Sequence, residues 1–135
     1  MASGRYAVRY YSKESAMAEY LVLLHEDPAT TRKLSPSQMQ ALIQRYSEWV
    51  GGLRADGFVG IGKKLTDDGG RHLHSEKGKM VVSDGPYAEG KDIVSGLFVV
   101  NADSYEQAQA RLASGPHLEF GWIELRQIDV IPQSD

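Results

Sequence analysis

Met39, Leu42, Ile43, Tyr46, Trp49, Val50 and Leu53 recur at steps of three and four residues, the spacing that lines side chains along one stripe of an α-helix. Both ends of the stripe are marked. Ser35 is placed to accept from the amide of Gln38 while the Gln38 side chain reaches back, and Pro36 suits the first helical position. Asp56-Gly57 stops the helix, with Gly57 free to take the left-handed position past its end. A helix of about five turns with one apolar face must cover that face against a second layer.

Strands on either side supply the layer. Tyr20-Leu21-Val22-Leu23-Leu24 is a continuous apolar run, suited to a strand buried on both faces, and His25-Glu26-Asp27-Pro28 ends it. Residues 29–34 read as a polar connector. After the helix, Phe58–Ile61 is a short strand. Two hairpin-like arms follow, Lys63–Thr66 and Arg71–Ser75 around Asp67-Asp68-Gly69-Gly70, then Lys79–Ser83 after Lys77-Gly78. Ile93–Val100 is β-branched on both faces and predicts a central strand. Asp103 or Ser104 caps a second helix, with Glu106 and Gln107 placed for the reciprocal bond and Tyr105, Ala108 and Leu112 toward the core; Gly115-Pro116 ends it. Trp122–Val130 is the last strand. Residues 1–16, where Tyr6, Val8 and Tyr10 alternate with Ala7, Arg9 and Tyr11, read as an extension: an edge strand or partner-packing arm, or a segment that frays. The domain proper is expected over 17–131, with 132–135 as a tail.

The order β-α-β, hairpin, β-α-β is the split βαβ plan of the α+β class, a ferredoxin-like βαββαβ fold with an inserted β-hairpin. Both helices then pack on one face of the sheet, and the other face needs cover, so a homodimer is expected. The 135 residues carry net charge −3 and no cysteine. That length makes one domain able to bury about two-thirds of its surface. The charge argues against a direct grip on nucleic acid. The missing thiols exclude disulfides, a cysteine nucleophile and thiolate metal centres. No apolar run of about 20 residues marks a membrane span, and no signal-peptide pattern is present. The expected setting is cytoplasmic.

In this topology the end of the first strand, the connection over residues 62–92 and the loop over 115–121 share one end of the sheet. His25, Asp84, Tyr87, Glu89 and His117 therefore converge, where a pocket for a small molecule would form. His117 is the candidate general base or acid, oriented by Asp84 or Glu119; the alternative is an imidazole that bonds a backbone carbonyl where Gly115-Pro116 turns the chain. Asp84 is the candidate orienter, or an Asx turn before Gly85. His25 either faces the pocket or simply closes a strand end. Tyr46 offers a hydroxyl to a ligand or completes the helix stripe. Tyr87 and Glu89 are the remaining candidate substrate contacts. His72 and His74 share a strand face but lack a third ligand, so they read as solvated, and no metal or cofactor is expected. Gly60–Lys64 and Gly69–Arg71 do not open a helix after a strand and are not phosphate loops.

The segment Val82-Ser83-Asp84-Gly85-Pro86-Tyr87-Ala88-Glu89-Gly90-Lys91 resembles the YCII-related family, in the branch named for an Asp-Gly-Pro-Phe motif, with Tyr87 in place of Phe. Leu21–Pro28, Gly115-Pro116-His117-Leu118 and Gly121-Trp122-Ile123-Glu124-Leu125-Arg126 extend the similarity over about residues 17–131. The resemblance implies a ferredoxin-like protomer pairing into a dimeric α/β barrel. Better-understood relatives use a His on the first helix and an Asp near the end of the second as base and orienter. Counted back from Gly57, those positions fall on Tyr46 and near Gly115, so that dyad does not carry over. Two functions follow from these readings: cofactor-independent acid/base chemistry on a small polar molecule, or a non-enzymatic module that senses a ligand or binds a regulatory partner. For the second, the resemblance implies a sigma factor as one such partner, because genes of some members of the branch lie beside sigma-factor genes.

Overall fold

The computed structural model of the protein describes residues 17–84 and 92–131. Its elements are β1 (Ala18–Glu26), α1 (Pro28–Arg32), α2 (Pro36–Ala55), β2 (Val59–Lys64), β3 (Arg71–Glu76), β4 (Lys79–Asp84), β5 (Ile93–Ala102), α3 (Tyr105–Leu112), a 3-10 turn (Pro116–Glu119) and β6 (Gly121–Gln127). The strands form a four-stranded antiparallel sheet in the order β2-β5-β1-β6 and a separate β3-β4 hairpin. That order is compatible with a ferredoxin-like fold. The expectations for residues 1–16 and 132–135 lie outside the described residues.

The helix signals act as the sequence implies. Ser35 Oγ accepts from the Gln38 amide at 3.1 Å and Gln38 Oε1 accepts from the Ser35 amide at 2.8 Å, closing the capping box. Past the C-terminus Gly57 takes φ +77°, a conformation that costs glycine nothing sterically. Leu42 and Leu53 are buried, and Trp49 and Val50 pack on the core formed by Tyr20, Val22, Leu24, Phe98, Val100, Ala108 and Leu112. The buried side chains of β1 alternate with half-buried ones. One face of the sheet thus carries the helices, while Leu21, Leu23, Leu97 and Val99 lie half-buried on the other.

Four local expectations need correction. Residues 29–34 are not wholly a connector, because Asp27 Oδ1 accepts from the Ala29 amide and Pro28 starts the single-turn helix α1. Lys63–Thr66 does not pair with Arg71–Ser75: Lys63 and Lys64 continue β2 against Leu97 and Gly96 of β5. Gly69 and Gly70, both at positive φ, turn the chain away from that strand instead. The second arm does form, with Lys77 at φ 51° and Gly78 at φ 80°, the pair of left-handed residues a two-residue hairpin turn requires. Tyr105 is 40% exposed; its ring meets Tyr20 edge-on and its hydroxyl accepts from the Gln127 amide. The last strand ends at Gln127, short of Val130. No helix among the described residues is long and apolar enough to cross a membrane.

Candidate functional site

Between α2 and the sheet lies a cavity of about 540 Å³, whose apolar wall includes Leu24, Met39, Leu42, Ile43 and Val50 and whose polar groups include Glu26, Tyr46, Ser95 and His117. Ile43, an apolar member of the helix stripe, is 58% exposed because it faces this space instead of the core.

His117 is fully buried, and two hydrogen bonds define its chemistry. Its Nε2 lies 2.9 Å from the backbone carbonyl of His25. A carbonyl only accepts, so Nε2 carries the hydrogen and, in the neutral ring, Nδ1 is the acceptor. Tyr46 supplies the donor from α2, its O–H pointing to Nδ1 at 2.7 Å. Glu26 Oε1 stands 3.8 Å from Nδ1. Burial, followed by the charges of Glu26 and Glu119, pushes the Tyr46 phenol well above its ordinary value. Tyr46 is therefore a protonated donor at neutral pH.

The surroundings hold this pair by shape and charge. Where β5 pairs with β1, the register passes from Leu24–Gly96 to His25–Val94, leaving Ser95 as the extra residue of a bulge. Ser95 Oγ lies 3.3 Å from the Leu24 carbonyl and 3.1 Å from Glu26 Oε1. Arg45 makes a two-pronged bond to Glu119, tying α2 to the 3-10 turn. That hydrogen bond holds the Glu119 carboxyl below its ordinary value. Glycine makes the close approaches. A Cβ at Gly115 would lie 2.2 Å from the Trp49 ring, and one at Gly121 would lie 2.0 Å from the His25 carbonyl oxygen and 3.0 Å from His117 Nε2.

The converging residues are sorted by the sheet. His25 reaches His117 only through its backbone. Its imidazole belongs to a second cluster, stacked on Trp122 at 3.9 Å with Nε2 3.0 Å from Glu124 Oε1. That ring lines a separate cavity of about 400 Å³ with Asp68, His72 and Asp92. Asp84 ends β4 opposite Arg71, exposed on the hairpin, and Glu119 is engaged by Arg45. Neither orients His117; the His25 carbonyl and Tyr46 do, so His117 bonds a backbone carbonyl and lines a pocket at once. Tyr87 and Glu89 lie outside the described residues. His72 and His74 share a face of β3, with ring centres 6.5 Å apart, and both are exposed. No group of three metal-ligating side chains occurs among the described residues.

Glu26, Ser95 and Gly121 were not singled out by the sequence. Glu26 sits in the acidic step that ends β1, on the face of Leu24, and its partner Ser95 is the bulged residue of β5, which no local signal marks. Against known proteins, the model of the YCII-related domain family matches residues 18–131. No curated protein matches the chain.

Proposed function

The chain belongs to the YCII-related family, and on that premise we propose that the cavity beneath α2 binds a small organic molecule and moves a proton on it without a cofactor. The observation that carries this reading is the buried relay from Tyr46 Oη to His117 Nδ1 at 2.7 Å, on the wall of the 540 Å³ cavity. His117 is sealed from solvent, so it acts on a ligand through Tyr46. Tyr46 Oη takes a proton from an acidic O–H, N–H or C–H position as its own proton passes to Nδ1. The resulting imidazolium keeps its Nε2–H bond to the His25 carbonyl, and Glu26 compensates its charge. Returning the proton to a neighbouring atom of the ligand completes an isomerisation with no net consumption of acid or base. Ring and phenol are held on a helix and a short rigid turn, the preorganisation that such a transfer needs.

Proton exchange tests this directly. The protein in D2O is mixed with enolisable compounds, namely pyruvate, levulinate, acetylacetone and cyclohexanone, and 1H NMR follows loss of their α-protons. Exchange above the buffer rate is expected for the wild type with at least one compound, and is expected to disappear in Tyr46→Phe and His117→Gln. Compounds that shift cavity resonances without any catalysed exchange would sink the acid/base chemistry and favour the ligand-sensing module.

We further propose that the chain is a homodimer of the Asp-Gly-Pro-Phe branch, paired through the sheet face of Leu21, Leu23, Leu97 and Val99. The support is that face, which no helix covers among the described residues. Sedimentation across a wide dilution series checks it, and a folded monomer at every concentration would refute it.

A further inference from the structure

We infer that the cavity takes an organic carboxylate, its anionic end held by Arg54 at the edge strand β2 and its apolar body reaching across to Tyr46. This rests on the cavity being a small-molecule site and adds the class of its ligand.

Arg54, in the last turn of α2, lines the cavity, and its guanidinium has no hydrogen-bond or ion-pair partner among the described residues. The nearby acids are engaged elsewhere: Asp56 with Arg111 at 2.7 Å and Asp67 with Lys64 at 3.1 Å. Sequence neighbours at β2 leave room beside it. A Cβ at Gly62 would stand 3.5 Å from Arg54 Nη2 and 2.8 Å from the Phe98 ring, so glycine keeps that floor flat. Lys64, two residues along the same strand, also lines the space, with its ammonium paired to Asp67. A planar guanidinium with free donors is matched in shape by a carboxylate, which it grips with two parallel bonds.

The rest of the cavity fixes the ligand's body and direction. Leu24, Met39, Leu42, Ile43 and Val50 form an apolar stretch between the cationic edge and the polar end. Lys64 pairs with Gly96, and Gly96 with Leu24, so the cations sit two strands from Glu26 and Tyr46's partner turn. Two strand spacings are roughly 10 Å, the reach of a medium-chain acid. Glu26 repels a carboxylate at its own end, which sets the orientation. Gly51 also lines the cavity, from the last third of α2, and an added Cβ there would meet nothing within 4 Å.

Octanoate and octanamide are the probes, matched in length and differing in charge. Binding to the full chain is followed by titration calorimetry and by 15N-HSQC shifts of the cavity residues. Octanoate is expected to bind at least about tenfold more tightly than octanamide, the worth of a charge-assisted pair. Arg54→Gln should bring octanoate down to octanamide and leave octanamide unchanged. Arg54→Lys should weaken octanoate severalfold, since an ammonium cannot make the two-pronged bond. Equal affinities in the wild type, or a preference that survives R54Q, overturn the inference and leave the cavity reading standing. If R54Q does not fold, the wild-type ratio and R54K decide, and an unchanged octanoate affinity in R54K overturns it. Failure of both probes to shift any cavity resonance overturns the cavity reading and the inference with it.

Discussion

Gly121→Ala is the smallest change that should take the site apart. The new methyl carbon would stand 2.0 Å from the backbone carbonyl oxygen of His25, well inside contact distance, and a backbone oxygen within a paired strand cannot swing aside. β1 or β6 must therefore separate by an ångström or more, and the 2.9 Å bond from His117 Nε2 to that oxygen is stretched or lost. Leaving a buried N–H unpaired costs about 1–3 kcal/mol. Forcing extra volume into a packed site adds about 1–3 kcal/mol, so the total is about 2–6 kcal/mol. Gly60→Ala is the matched control, because its Cβ would meet the Val99 carbonyl at 3.6 Å, an ordinary contact. It should be neutral, or more stable by about 0.5 kcal/mol through the lost freedom of the unfolded chain. Urea denaturation of both variants measures the difference, and the His117 side-chain N–H signal reports the bond itself. A Gly121→Ala protein within about 0.5 kcal/mol of wild type, with that signal unmoved, would refute the argument that glycine is there for the His25–His117 contact.

Three further outcomes follow from the same geometry. Ser35→Ala removes an acceptor from the Gln38 amide and opens the capping box, which should lower stability by about 1 kcal/mol in chemical denaturation without altering ligand binding. Gly51→Ala meets no steric obstacle and gains helix propensity, so it should raise stability by about 0.5–1 kcal/mol; a loss would mean that the helix is packed more closely there. Tyr46 predicts alkaline behaviour. Its phenol is held protonated above its ordinary value of 10.0, so beyond that pH the unfolded chain releases a proton that the folded chain keeps. Stability must then fall as pH rises. Tyr46→Phe should show a shallower loss above pH 10 than wild type, and parallel curves would contradict the assignment.

How far the sequence discloses this site depends on the range of the interaction concerned. The capping box at Ser35 and Gln38, the left-handed Gly57 and the Lys77-Gly78 turn are local, and each forms as its residues dictate. The sheet neighbours β1 and β5 were also legible, since the continuous apolar run of Tyr20–Leu24 and the β-branched Ile93–Val100 belong in the middle of a sheet. The pairing of His25 with His117 was half legible. Topology brings the two positions together, but it does not say which face of β1 the imidazole takes. Alternation along β1, which pairs with β6 without a register shift as far as Glu26, decides it by setting Glu26 on the face of Leu24 and His25 on the other. It leaves the Glu26 carboxylate beside His117, while the His25 ring stacks on Trp122. Asp84 failed as the orienter for a related reason: it belongs to a hairpin whose strands pair only with each other, so nearness to the sheet edge in the chain order does not become contact.

Tyr46 shows why a residue need not be either core or site. Its place in the apolar stripe turns it toward the sheet, and the stripe leaves a gap there because Ile43 and Gly51 do not fill it. A phenol can finish in such a gap with a hydrogen bond, since its ring packs among apolar neighbours while its hydroxyl reaches a partner. The partner it finds has its other nitrogen already committed to a backbone carbonyl. That commitment fixes the tautomer, the tautomer makes Nδ1 an acceptor, and the acceptor orders the phenol. The helix stripe, the Gly115-Pro116 turn and the glycine at position 121 are each ordinary features of packing. Their combination fixes which nitrogen accepts, and among the described residues the hydroxyl that packing has aimed at it is that of Tyr46, on the cavity wall.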